Sequence, residues 1–159
     1  MTDIVDPSTR SRMMAGIRGK NTRPELVIRS ALHRGGFRFR LHDPRLPGSP
    51  DLVFPRYRAV IMVHGCFWHR HRGCAYATTP ATRPAFWQRK FSANVDRDRR
   101  NRDELVDQGW KVLVVWECGV RHYPERVIRD LVTWVSAEWS GWKEFPECPP
   151  RPLETGGEK

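Results

Sequence analysis

The sequence predicts a single α/β domain. Its 159 residues are within the usual size of one domain and are enough to bury a hydrophobic core. Segments with helical and strand periodicity follow one another in the order helix, three strands, helix, strand, helix. No internal repeat or low-complexity block marks a second folding unit. We therefore expect one domain over 22–140, preceded by a basic arm at 1–21 and followed by a weakly ordered tail at 141–159.

The first helix is predicted over 23–34. Thr22 and Glu25 have the spacing of a capping box, in which the Glu25 side chain would return to the Thr22 amide. Pro24 suits the first turn of such a helix. Apolar residues then recur at helical spacing until a pair of glycines ends the helix.

Four strands are predicted. Residues 37–41 alternate aromatic and basic side chains, as a half-buried strand does. Short apolar runs at 51–54 and 59–63 are separated by four turn-forming residues, which is typical of a hairpin of two buried strands. A continuous apolar run within 110–116 predicts a central strand that is covered on both faces.

Two further helices are predicted. A proline-containing start near 82 is followed by an uninterrupted stretch to about 108, which indicates a long helix. Within it, residues 83–102 carry seven cations against two acids, so the helix contributes much of the positive charge. The alternative is an ordinary solvated charged face. Residues 124–139 place apolar side chains at helical spacing, so a final helix should pack on the sheet.

The charge balance points to a polyanionic partner. Lys and Arg number 28 against 18 Asp and Glu, which gives a net charge of +10. Such a basic protein favours nucleic acid as a partner, although a basic protein without this function is the alternative. No run of about 18 apolar residues exists to span a bilayer, and the polar start lacks a signal-peptide pattern. We expect a cytoplasmic monomer without a membrane partner, associated with the nucleoid when bound to DNA.

Three cysteines and a histidine form a candidate zinc site. Cys66, His71 and Cys74 lie within nine residues, and thiolate with imidazole suits tetrahedral zinc. Cys118 is the best fourth ligand because it follows the central strand, whose carboxyl end lies near those of its neighbours. Cys148 stands in a Pro-rich segment and is not expected to take part. Free buried cysteines beside a surface histidine are the alternative.

Candidate catalytic groups are individually ambiguous. Asp51 begins a strand, where a carboxylate held by a sheet can bind Mg²⁺ beside a phosphodiester, but it could equally be a turn residue. His69 is too close to His71 to share a tetrahedral centre comfortably, so it could act as a general base or contact phosphate, or be a surface histidine. Glu25 would take part only if it faced Asp51. Phe67 and Trp68 could stack on bases or pack in the core.

Several segments together resemble the very-short-patch-repair (Vsr) mismatch endonucleases, over roughly residues 7–121. The matching motifs are Thr9-Arg10-Ser11, Leu46-Pro47-Gly48-Ser49-Pro50-Asp51, His64-Gly65-Cys66-Phe67-Trp68-His69, Pro80-Ala81-Thr82-Arg83, Phe86-Trp87, Asn94-Val95-Asp96-Arg97-Asp98-Arg99-Arg100 and Val115-Trp116-Glu117-Cys118. The resemblance implies a restriction-endonuclease-like fold, with a central mixed β-sheet flanked by helices and a structural zinc site. It also implies Mg²⁺-dependent nicking of duplex DNA 5′ of the T in a T·G mismatch, the lesion left by deamination of 5-methylcytosine. This nick initiates very short patch repair, with mismatch-repair proteins as further partners.

The resemblance also implies roles for single residues. Asp51 would bind magnesium together with the backbone carbonyl of Val63, at a site with two Mg²⁺ ions near the scissile phosphate. His69 would be the general base or position the attacking water. His64 and Glu25 would support the phosphate and the water shell of the metal.

The implied DNA contacts lie on three parts of the chain. An aromatic wedge of Phe67, Trp68 and Trp87 would enter the base stack beside the mismatch. Met14 of the basic arm would approach the minor groove. On the long helix, residues 90 and 94 (Lys and Asn) would contact bases, and their spacing of four places them on one face.

One departure from the family pattern lies in the zinc segment, which is one residue longer than expected, with Gly73 as the insertion. This bears on Cys74 as the third zinc ligand. Two alternative functions stay open at this point. One is a restriction or branched-DNA nuclease of the same fold, and the other is a zinc-stabilised DNA-binding protein without catalysis.

Overall fold

The computed structural model describes residues 20–146 of the chain. Its elements, in chain order, are α1 (Arg23–Arg34), β1 (Arg40–Leu41), β2 (Leu52–Phe54), a 3₁₀ turn (Pro55–Tyr57), β3 (Ala59–His64), α2 (Pro84–Asp107), β4 (Lys111–Trp116), α3 (Glu117–His122), α4 (Pro124–Ser136) and β5 (Trp142–Phe145). The strands form one sheet in the order β1-β2-β3-β4-β5. β1, β2 and β3 pair antiparallel, whereas β3, β4 and β5 pair parallel, so the sheet is mixed as expected.

The long elements follow the sequence pattern closely. The helix expected at 23–34 is α1, and the long basic helix is α2. The predicted hairpin is confirmed, with Leu52 paired to Ile61. The final helix, expected to reach 139, ends at Ser136. A short helix, α3, was not expected and follows β4 directly.

The strand expected at 37–41 is shorter than predicted. Only Arg40 and Leu41 pair with β2, because β2 itself has three residues. Phe37 and Phe39 pack instead against the ring of Phe54, with ring centroids 6.0 and 5.5 Å away. Hydrophobic packing of the aromatic side chains therefore takes precedence over strand pairing in this segment.

The predicted boundary at 140 is wrong, because residues 142–145 form the edge strand β5. Trp142 pairs with Val112 and Phe145 with Val115, and only 7 % of Phe145 is exposed. The parallel edge of β4 offers backbone partners to this segment, and Phe145 fixes it by burial in the core. The rest of the predicted tail, 147–159, and the first nineteen residues of the predicted arm, including Met14, lie outside the described residues.

Two apolar layers enclose the sheet. One layer joins α1 and α4 to the sheet, as in the contact of Ile28 and Leu131 with Ile61. The other contains Val60, Leu105 of α2 and the cysteines that follow β3 and β4. No helix among residues 20–146 is long and apolar enough to cross a membrane. Because β3 and β4 run parallel, with His64 beside Trp116, the segments after both strands start from the same edge of the sheet.

Candidate active site and metal centre

Three groups of ligand-type side chains gather near the ends of β2, β3 and β4. Within each group, the candidate ligand atoms lie within 4.8 Å of one another. The groups are Cys66, His71, Cys74 and Cys118 (the thiol cluster), His64, His69 and Asp98 (the histidine cluster), and Glu25, His42 and Asp51 (the carboxylate cluster).

The thiol cluster joins the four residues expected to converge. Cys66 lies two residues beyond β3, and Cys118 is the second residue of α3, directly after β4. His71 turns Nδ1 towards the sulfurs, 3.3 Å from Cys118 Sγ and 3.8 Å from Cys66 Sγ. Gly73 has a φ of 73°, a left-handed conformation that glycine adopts without strain, and the chain then returns Cys74 to the cluster. The longer loop therefore still delivers its thiol.

The environment of the thiol cluster suits a metal ion. Hydrogen bonding with the Cys118 thiol, and then burial, raise the pKa of Cys66 above its usual range, and burial raises that of Cys74. Such thiols would stay protonated without a cation, whereas a metal ion binds the thiolate form. Three sulfurs and one imidazole nitrogen make a complete tetrahedral set, so the residues present fit a divalent metal.

Asp51 of the carboxylate cluster immediately precedes β2 and is held by the neighbouring strand. The Val63 N–H donates to Asp51 Oδ2 at 2.7 Å. Burial raises the pKa of Asp51 to about 6, and the nearby carboxylate of Glu25 adds to this. The Val63 N–H and the histidines His42 and His69 act in the opposite direction. A bound cation would compensate for the burial of this charge.

The Val63 carbonyl faces the same side as Asp51. In an antiparallel sheet both the N–H and the C=O of one residue point to the same neighbouring strand, and the Val63 N–H points to Asp51. Continuing the register of Leu52 with Ile61 places Val63 opposite Pro50. Proline has no N–H, so the ladder supplies no donor for this carbonyl. An oxygen ligand beside Asp51 is thus compatible with the backbone.

Glu25 faces Asp51, and the capping-box expectation is wrong in its partner. Glu25 Oε2 accepts from the backbone N–H of Asn21, at 2.8 Å, and not from Thr22. Its Oε1 contacts His42 Nε2 at 2.5 Å. His42 was not expected at the site, and it is brought there by pairing of its backbone N–H with the Asp51 carbonyl at 3.2 Å. A histidine next to a short strand that pairs with the Asp51 segment was the available signal.

The histidine cluster pairs a base with an orienting carboxylate. His69 Nδ1 lies 2.6 Å from Asp98 Oδ2, and its ring stacks on His64 with centroids 4.0 Å apart. Donation of Nδ1–H to Asp98 leaves Nε2 as the acceptor nitrogen. Burial lowers the pKa of His64 to about 3, so this imidazole is neutral at pH 7. Asp98 was missed because it lies on α2, 29 residues from its partner.

An aromatic cluster flanks the histidines. The Phe67 ring lies 5.0 Å from Trp68 and 5.8 Å from Trp87, centroid to centroid. Phe67 and Trp68 are half-buried, whereas only 4 % of Trp87 is exposed. Trp87, expected in the wedge, therefore supports the other two rings from below in this conformation.

Arg70 holds the aromatic loop in place. Its guanidinium donates to the carbonyls of Thr78 and Ala77, at 2.8 and 3.0 Å, and to that of Phe67 at 3.3 Å. The same group lies 4.0 Å from the ring centroid of Phe91. These contacts fix the segment that carries both the wedge and the zinc-type ligands.

Two α2 residues expected to contact bases adjoin Trp68. Asn94 Nδ2 donates to the Trp68 carbonyl at 3.1 Å, and Lys90 Nζ lies 5.8 Å from the Trp68 ring centroid. Both line an open groove of about 770 Å³ that also contains His64 and His69. The groove thus joins the histidine cluster, the exposed aromatic rings and a positively charged helix face.

Comparison with known proteins gives a consistent result. The family model described as DNA mismatch endonuclease Vsr matches residues 2–75. The type II nicking enzyme V.XorIIP of Xanthomonas oryzae pv. oryzae is 51% identical over 118 residues, which cover 74% of this chain and 86% of that protein. The DNA mismatch endonuclease Vsr of Escherichia coli is 44% identical over 139 residues, 87% of this chain and 88% of that protein. The type II nicking enzyme V.NmeAIP of Neisseria meningitidis is 43% identical over 122 residues, with 77% and 86% coverage. This chain therefore belongs to the Vsr family of DNA mismatch endonucleases.

Proposed function

We propose that this endonuclease nicks one strand of duplex DNA 5′ of the T in T·G mismatches, and so initiates very short patch repair. The observation that carries the proposal is the convergence of Asp51 and the His69–Asp98 pair beside the exposed rings of Phe67 and Trp68. A phosphodiester-cleaving centre and a stacking surface are the two parts that such an enzyme needs. The mixed sheet with Asp51 at its edge supports a restriction-endonuclease-like fold.

Asp51 and the Val63 carbonyl would hold Mg²⁺. Both are oxygen ligands, which Mg²⁺ prefers, and few protein ligands suffice because Mg²⁺ keeps several waters. When bound, Mg²⁺ ions supply charge stabilisation for the attacking and leaving oxygens, and we propose two of them. The Val63 N–H fixes Asp51 Oδ2, so the carboxylate is oriented before the cation arrives.

The histidine cluster would move the proton and contact the phosphate. His69 Nε2 is the free acceptor and would take the proton of the attacking water, while Asp98 keeps the ring in the required tautomer. His64 is neutral and stacked on His69, so it can donate a hydrogen bond to a phosphate oxygen without competing as a base. Glu25 Oε2 retains acceptor capacity for a water of the metal shell.

The aromatic loop would recognise the mismatch. Phe67 and Trp68 would stack against bases that have lost their neighbours, and a mismatched step is the cheapest to open. Trp87 would support these rings, while Lys90 and Asn94 would approach the bases from α2. The thiol cluster would bind one structural Zn²⁺ and hold this loop against the sheet.

The test is cleavage of matched duplexes. Labelled DNA with one T·G or one T·A pair is incubated with the enzyme in Mg²⁺, without metal, and with the Asp51→Asn variant; Asp107→Asn, an exposed carboxylate at the end of α2, is the control. We expect a single nick, only in T·G duplex, only with Mg²⁺, and absent for Asp51→Asn. Equal cleavage of both duplexes would indicate a nuclease with another target. Cleavage of neither by any variant would leave only DNA binding.

A further inference from the structure

One imidazole lies between the two carboxylates of the carboxylate cluster. His42 Nε2 is 2.5 Å from Glu25 Oε1 and 3.7 Å from Asp51 Oδ1. Only 13 % of the His42 side chain and 1 % of the Glu25 side chain are exposed. An N–H group at this position reduces the repulsion between two largely buried like charges.

Glu25 is a fixed anchor for this imidazole. Its Oε1 accepts from Arg29 Nη1 at 3.3 Å as well as contacting His42, and its Oε2 accepts from the Asn21 N–H. Three donors on one buried carboxylate hold it in a single orientation on α1. His42 thus connects an immobile group on α1 to Asp51 at the edge of the sheet.

The backbone at His42 is also unusual. His42 has a φ of 46°, in the left-handed region that residues with a side chain rarely adopt. Such a conformation costs about 1 kcal/mol or more and persists where surrounding contacts require it. Here it allows the His42 N–H to pair with the Asp51 carbonyl while the side chain returns to Glu25. A glycine would satisfy the backbone better, so the imidazole is the reason for a histidine.

We propose that His42 is a positioning residue of the magnesium site. Its imidazole ties Asp51 to Glu25, holds the Asp51 carboxylate in its metal-binding orientation and offsets the charge of Glu25. This inference rests on the proposed function, in which Asp51 binds Mg²⁺. Partners that orient metal ligands typically contribute 10-fold to 100-fold in metal affinity. Loss of His42 should therefore weaken metal binding and leave turnover at saturating Mg²⁺ nearly unchanged.

Three variants separate positioning from folding. His42→Gly removes the imidazole and relieves the left-handed backbone, so it should fold at least as well as the natural chain. His42→Gln keeps an N–H donor for Glu25 and should restore much of the effect. His33→Ala is the matched control, because His33 is an exposed histidine in the last turn of α1.

Two readouts are measured on each full-length variant. The first is the Mg²⁺ concentration for half-maximal nicking, together with kcat at saturating Mg²⁺. The second is Mn²⁺ binding without DNA, followed by electron paramagnetic resonance. For His42→Gly we expect about a tenfold rise in the Mg²⁺ requirement, similarly weaker Mn²⁺ binding, kcat within about threefold of the natural chain and an unchanged or higher melting temperature.

The outcomes distinguish this inference from the proposed function. Unchanged Mn²⁺ binding by His42→Gly, or a His42→Gln variant as impaired as His42→Gly, would overturn the positioning role. A fall in kcat with unchanged metal affinity would overturn it as well. Nicking by the natural chain without Mg²⁺, or by Asp51→Asn, would instead refute the proposed magnesium site.

Discussion

The thiol cluster and the carboxylate cluster are both built from buried metal-binding side chains, yet they are assembled differently. Three members of the thiol cluster come from a nine-residue loop, and their soft ligands form a closed set. Members of the carboxylate cluster come from α1, from the residue after β1 and from the residue before β2. The first can order a loop, whereas the second depends on a sheet that is already folded. This contrast separates a metal that stabilises from a metal that reacts.

The strongest test of the contrast removes a thiol ligand. Cys118→Ser should abolish zinc binding and leave buried thiols and an imidazole without a partner, so we expect a loss comparable with the whole free energy of unfolding of a domain, about 5 to 15 kcal/mol. Metal analysis should give one zinc per chain for the natural protein, and thermal melting should show the loss. Cys148→Ser is the control. A metal-free protein with full stability would contradict the structural role.

The next largest effect is expected at the histidine cluster, which lies between the two metal regions. Asp98→Asn should favour the wrong tautomer of His69 and lower the rate of the chemical step by about 10² to 10⁴-fold, with little change in stability. Single-turnover nicking at saturating Mg²⁺ measures this. Asp96→Asn, an exposed acid two residues earlier on α2, provides the matched comparison. Equal rates for the two variants would remove Asp98 from the mechanism.

A smaller effect, with the opposite sign for stability, is expected at Asp51. Its folded-state pKa of about 6 lies above the ordinary 3.8, so the group's favourable contribution is full below pH 3.8 and is lost as pH rises through 6. At pH 8 without Mg²⁺, Asp51→Asn should therefore stabilise the fold by up to about 3 kcal/mol. The gain should vanish below pH 4. Denaturant unfolding at both pH values decides this, and destabilisation at pH 8 would contradict it.

The smallest effect is expected at the wedge. Trp68→Ala should reduce the preference for T·G over T·A duplex by about 1–2 kcal/mol, because one stacking surface is lost while zinc and magnesium sites are kept. Binding of both duplexes in Ca²⁺, which does not support cleavage in the expected mechanism, measures the preference. Trp142→Ala removes an equally accessible ring on β5 and should leave it unchanged. A uniform loss on both duplexes would point to general affinity instead.

The sequence predicts the thiol cluster better than the carboxylate cluster for a physical reason. Cys66, His71 and Cys74 are close along the chain, and Cys118 follows a recognisable central strand, so their meeting follows from local spacing and strand order. His42 and Asp98 have no such signal. They reach Glu25 and His69 across 17 and 29 residues, and only the packing of α1 and α2 on the sheet brings them there.

The same reasoning explains the errors in the fold. β5 was taken for a tail because Trp142 to Phe145 contains two charged residues and no continuous apolar run. Its strand conformation depends on the free edge of β4, which is a tertiary property. The long elements α1, α2, β3 and β4 were predictable because their periodicity is strong over many residues.

The contacts of Arg70 bear on how salt should affect DNA binding. A guanidinium that donates to three carbonyls and lies over Phe91 is committed to the protein and cannot release counterions from a phosphate. The arginine at the centre of the most basic loop is therefore silent in the salt dependence of affinity. That dependence should report the cations of α2, such as Lys90, so the net charge of +10 overstates the number of phosphates that the enzyme neutralises.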